Sequence, residues 1–78
     1  MSTPITIYGT SWCPHCTSAK TELAAHATFV DCDKNRDLCE RAGVKAYPTI
    51  VGANGQSVEG FSTTMKADIC NRLGVGPC

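Results

Sequence analysis

The chain has 78 residues, which is room for one domain and a modest core. Seven Lys and Arg balance seven Asp and Glu, so no basic field invites nucleic acid, no acidic tail invites a basic partner, and recognition has to be local. No apolar run approaches the roughly 20 residues of a membrane span and no basic segment leads the first apolar stretch, which argues against membrane insertion or export and for a cytoplasmic monomer. Six cysteines pull the other way, because that density belongs to oxidising compartments or, in a reducing one, to metal or redox work.

Ile5-Thr6-Ile7-Tyr8 alternates branched and aromatic residues and stops at Gly9, the pattern of a short buried strand. From Pro14 to about Ala27 the residues favour helix, with Ala19, Leu23 and Ala27 on one narrow apolar face. Thr28 to Asp31 is a second strand. Asp33 and Asn35 then offer caps for a helix with Leu38 and Ala42 turned inward and Gly43 as its stop. Thr49-Ile50-Val51 is a third strand, and Asn54-Gly55 ahead of Gln56 to Glu59 is a hairpin signal that makes the third and fourth strands antiparallel neighbours. Ser62 or Thr63 can cap a last helix with Met65, Ile69 and Leu73 on one stripe and Gly74 as its stop, before a tail Val75-Gly76-Pro77-Cys78.

The resulting order, strand-helix-strand-helix-strand-strand-helix, makes one α/β domain over residues 1–78: a mixed four-stranded sheet with three helices on its faces. Strands joined through helices are expected to run parallel, and the hairpin to add an antiparallel edge. The loop after Tyr8 then delivers Trp12-Cys13-Pro14-His15-Cys16 to the carboxyl end of the first strand, where such sheets carry their chemistry. Two cysteines at this spacing can close a disulfide, and Pro14 suits the first turn of a helix. A free thiol, with a pKa of about 8.5, is only a few per cent thiolate at pH 7, and a helix N-terminus can lower that value to roughly 3.5 to 7.5. His15, between the cysteines, is a further candidate to stabilise a Cys13 thiolate and so to make the Cys13–Cys16 disulfide more oxidising, with a potential above about −270 mV.

Trp-Cys-x-x-Cys after a first strand, Phe29-Val30-Asp31-Cys32-Asp33-Lys34-Asn35 leading to Leu38, and Gly43-Val44-Lys45-Ala46-Tyr47-Pro48-Thr49 together resemble the thioredoxin superfamily across nearly the whole chain. The resemblance implies the minimal thioredoxin fold, βαβαββα, and a thiol–disulfide oxidoreductase that uses no cofactor. It implies that Cys13 is the exposed nucleophile, Cys16 the more buried resolving thiol, and Pro48 a cis proline. Trp12, Tyr47, Pro48 and Thr49 would then border the groove that docks an extended substrate. The implied partners are a disulfide-containing protein or small thiol and an upstream reductase or oxidase. The chain departs from the thioredoxin pattern at Ile7, where a buried acidic residue is expected, and at Phe29, where a lysine is expected, so that proton relay is missing.

A second reading is non-catalytic, a redox-sensing or zinc-binding module of the same fold. Cys13, Cys16, Cys32 and Cys39 could supply four thiolates, although the gap between the last two is wide for a zinc knuckle. Cys32 and Cys39 bracket a cap and the first turn of a helix, close enough to pair as a structural staple or as an electron relay to the first two cysteines. Cys70 and Cys78 are similarly near, and six cysteines leave many connectivities open. Lys20 reads as surface charge, and His26 as solvent-facing.

Overall fold

The computed structural model describes residues 4–75 and 78. Of the expected tail, Gly76 and Pro77 lie outside the described residues. Strand β1 spans Ile5–Gly9, helix α1 Pro14–Glu22, β2 Ala27–Asp31, α2 Arg36–Arg41, β3 Thr49–Gly52 and β4 Ser57–Glu59, and a 3₁₀ turn at Thr63–Met65 leads into α3, Lys66–Arg72. The strands form one sheet in the order β2-β1-β3-β4. This is the expected mixed four-stranded α/β sheet with three helices. No helix among the described residues is long and apolar enough to cross a membrane.

Parallel pairing of β1 with β2 sets Ile7 beside Phe29 and Gly9 beside Asp31. β3 runs antiparallel to β1, with Tyr8 opposite Thr49, which corrects the expectation that every helix-joined strand is parallel. The connection through the short α2 begins and ends at the same end of the sheet, since Gly9 pairs with Asp31 and Tyr8 with Thr49. The segment after β2 therefore turns at one end of the sheet, and β3 starts beside the end of β1. β3 and β4 pair antiparallel, as the Asn54-Gly55 signal predicts. Gly55 takes a positive φ of 84° and its N–H bonds to the carbonyl of Gly52, so the connection is a three-residue loop with glycine at the left-handed position.

Helices α1 and α3 share one face of the sheet. Ala19 and Leu23 from the first helical segment and Ile69 and Leu73 from the last meet Ile5, Ile7, Ile50, Val58 and Phe61 in a single core. Lys66 pairs with Glu22 at 3.5 Å, and Thr63 Oγ1 donates to the same carboxylate, where the two helices meet. On the opposite face Thr6, Tyr8, Val30 and Val51 are half-buried.

α1 ends at Glu22 rather than near Ala27. Ile5 N–H donates to the His26 carbonyl and Ala27 takes its place opposite Ile5; ladder pairing overrides the helical propensity of the alanines. In α2 the inward residue is Cys39, while Leu38 and Ala42 are exposed, because the helix stands at the sheet's end and is held through Cys39 itself. Gly43 and Gly74 have positive φ, 75° and 80°, at the expected helix stops. The expected hydroxyl cap of the last helix does not form: Ser62 Oγ instead lies 3.0 Å from Thr64 Oγ1.

Candidate functional site

Gly9 ends β1, and Thr10 to Trp12 turn the chain so that Cys13 becomes the N-cap of α1 with Pro14 at the first helical position. A cap residue keeps extended backbone angles while its side chain reaches back to the first free N–H groups. Here Cys13 Sγ accepts from Cys16 N–H at 3.3 Å. The Cys13 N–H donates to the Thr10 carbonyl at 3.4 Å and its own carbonyl accepts from Thr17 N–H at 3.1 Å, so the residue is pinned on both sides. Cys13 and Cys16 are both free thiols.

Cys13 is less exposed than expected, at 7%, because the Thr10–Cys13 turn and the first turn of α1 enclose it; Cys16, at 0%, is the deeper of the two as expected. Burial pushes the Cys16 thiol up to about 12; its hydrogen bond to Cys13 and the charge that Cys13 can carry add to the rise, and the Thr10 N–H opposes it. Cys16 therefore keeps its proton at neutral pH. Beneath it lies Gly9, where a Cβ would stand 2.5 Å from Cys16 Sγ and 3.4 Å from the Phe29 ring. Only the absence of a side chain lets the strand pass so close to the sulfur.

Trp12 is 67% exposed, and its indole Nε1 donates to Asp33 Oδ2 at 2.8 Å. The Trp12 and Tyr47 rings meet edge to face with centroids 6.1 Å apart, which joins the loop carrying Cys13 to the loop before β3. The Tyr47–Pro48 bond is cis and Pro48 is buried. Thr49 is buried too, with Oγ1 donating to the Ala46 carbonyl at 2.7 Å, and the Pro48 carbonyl accepts from Gly60 N–H. Of the expected rim, Trp12 and Tyr47 are open to a ligand, whereas the Thr49 side chain is spent on its own turn. His15 is exposed, and among the described residues its side chain makes no hydrogen bond with either sulfur; the Cys16 N–H takes the place expected of the imidazole.

Cys32 is bonded to Cys39, with Cα atoms 5.7 Å apart, and Cys70 to Cys78, at 6.1 Å. Both expected neighbour pairs form, and the four-thiolate zinc set is not assembled because Cys32 and Cys39 are spent on each other. Cys32 and Cys39 are 3% and 5% exposed. Two residues make contacts that their sequence neighbourhood does not announce. Asp33, expected as a helix cap, holds the indole of Trp12, a contact across 21 residues of chain with no local signal. Lys20, expected as surface charge, sets its ammonium 4.9 Å above the centre of the Phe29 ring.

A sheet of this order carrying a vicinal cysteine pair at the start of its first helix defines the class of thiol–disulfide oxidoreductases. A model of the thioredoxin family matches residues 5–73, and the chain belongs to that family. It is 43% identical over 51 residues to protein disulfide-isomerase A5 of Mus musculus, an alignment that covers 49% of this chain and 10% of that protein; the chain thus matches about a tenth of that relative's length. Among solved structures, thioredoxin from Plasmodium falciparum superposes with a TM-score of 0.71 at 19% identity, over 88% of this chain and 69% of the other. A glutaredoxin from Archaeoglobus fulgidus superposes with a TM-score of 0.69 at 20% identity, over 90% and 85%. At these identities the two structures speak for the fold alone.

Proposed function

We propose that this chain exchanges electrons with disulfide-containing proteins or small thiols through the Cys13–Cys16 dithiol. The observation that carries the reading is the asymmetry of the pair. Cys13 caps the helix and accepts the Cys16 N–H, while Cys16 lies fully buried behind it and holds its proton. The outer sulfur attacks as thiolate, keeping the backbone hydrogen bond it already has, and forms a mixed disulfide. Cys16 then displaces the bound partner, closing the intramolecular disulfide. Trp12 and Tyr47 form an open aromatic rim for the chain that carries the substrate disulfide, beside the buried Pro48. An upstream reductase or oxidase resets the pair.

Insulin reduction and single-turnover trapping test the reading together. Cys13→Ser is expected to abolish turnover, and Cys16→Ser to accumulate the mixed disulfide on Cys13, visible by intact mass. A Cys13→Ser protein that still turns over would refute it.

A further inference from the structure

A cleft of about 390 Å³ opens between α1 and β2, lined among others by Thr10, Lys20, Phe29, Asp31 and Lys34. Trp12 and Tyr47, the rim assigned to the substrate chain, are not part of it. Its charges are opposite in sign yet unpaired: among the described residues neither Lys20 nor Lys34 makes an ion pair with Asp31 or with any other carboxylate. Each charged group is held by something else. The Lys20 ammonium lies 4.9 Å from the centre of the Phe29 ring, a contact that fixes the ammonium without neutralising it. Asp31 Oδ1 accepts from Asp33 N–H at 2.9 Å, which orients the carboxylate and leaves Oδ2 without a hydrogen bond among the described residues. Lys34 is placed by its backbone, whose N–H donates to the Asp31 carbonyl at 3.1 Å. Thr10 is 1% exposed, and its hydroxyl has no hydrogen-bond partner among the described residues.

We propose that this cleft binds the zwitterionic headgroup of a small α-amino acid, with Lys20 and Lys34 receiving its carboxylate and Asp31 its ammonium. The proposal is independent of the exchange reading and adds a binding function to it. A simple anion drawn to the two ammoniums would also face the Asp31 carboxylate, and a simple cation drawn to Asp31 would face the ammoniums. A molecule carrying both charges a few bonds apart satisfies all three groups. Once one end is bound, the contact at the other end is intramolecular, so the pair of contacts is stronger than either alone. The Thr10 hydroxyl is a spare donor at the same cleft, and a buried hydroxyl without a partner gains by finding one. The Phe29 ring supplies an apolar wall for a short side chain, the mixture of apolar lining and a few convergent polar groups that small-molecule sites use.

The test is an NMR titration of the isotope-labelled protein at neutral pH with three probes: L-alanine, which carries both charges, acetate, which carries only the negative one, and methylammonium, which carries only the positive one. L-alanine is expected to shift the amide signals of Lys20, Phe29, Asp31 and Lys34, with a Kd at least tenfold below that of either half-probe. Lys20→Met keeps the apolar stem beside Phe29, and Asp31→Asn keeps an oxygen for the Asp33 N–H. These two variants and Lys34→Met are each expected to weaken L-alanine binding at least threefold, and Lys20→Arg to retain it. The spectra before titration report whether each variant is folded. Acetate binding as tightly as L-alanine would reduce the cleft to a simple anion site and overturn the proposal. It is equally overturned if L-alanine shifts no signal in the wild-type protein, if the shifts centre elsewhere, or if the folded variants bind L-alanine as the wild type does.

Discussion

Gly9→Ala measures how tightly the strand and the resolving sulfur are packed. The new Cβ would stand 2.5 Å from Cys16 Sγ and 3.0 Å from Cys16 Cβ, against an optimal non-bonded separation of roughly 3.5 to 4 Å, so something must yield by about 1 Å. The sheet resists: Gly9 O accepts from Cys32 N–H at 2.7 Å and the residue is paired with Asp31. Movement therefore falls on α1 and Cys16. Overpacking of this kind costs about 1 to 3 kcal/mol, and the stiffer unfolded chain returns about 0.4 to 1 kcal/mol. The net expectation is a loss of about 1 to 2 kcal/mol in urea unfolding at unchanged m-value, with resolution of the mixed disulfide slowed as Sγ is displaced. Repeating the substitution in Cys16→Ala, where the sulfur is gone, should recover at least about 0.5 kcal/mol as a coupling energy. A Gly9→Ala protein as stable as wild type, or equal costs in the two backgrounds, would refute the close approach.

Iodoacetamide labelling of the reduced pair followed by peptide mass spectrometry should modify Cys13 at neutral pH and spare Cys16 until the pH nears about 12; equal labelling at pH 7 would remove the asymmetry. The same shift has a sign for stability. A thiol whose folded value is raised above its unfolded one stabilises fully below the unfolded value and loses that contribution as pH rises towards about 12, so alkaline unfolding should be steeper in wild type than in Cys16→Ala. Replacing Cys32 and Cys39 together by alanine should cost about 2.5 kcal/mol, the loop entropy of a short staple, and alter Trp12 fluorescence through Asp33, while turnover at Cys13 persists. A loss of turnover as large as that of Cys13→Ser would instead make the pair a relay.

Much of this was legible in one dimension because it is local. The β1 alternation, the Asn54-Gly55 signal, the glycine stops at Gly43 and Gly74 and the near-neighbour cysteine pairs each need only a few residues of context. The cysteine pair at the start of α1 was readable for the same reason. What escaped depends on tertiary placement. Ala27 carries a helical signal, but its partner Ile5 claims it for the sheet. Leu38 and Ala42 fit an inward stripe that a helix at the sheet's end has no use for. The Trp12–Asp33 bond and the Lys20–Phe29 contact join residues from separate elements. Phe29 reads in sequence as the loss of a lysine, and only the packing reveals that Lys20 comes to lie over its ring.

The cysteine pairing also bears on how the chain matures. In sequence order the first cysteine is beside the second, the third is bonded to the fourth and the fifth to the sixth, with separations of 7 and 8 in the two disulfides. Short loops are the ones an unfolded chain closes most readily. The native pairs are thus those that random encounter favours, and a newly made chain meeting an oxidant reaches them directly, with little need for reshuffling.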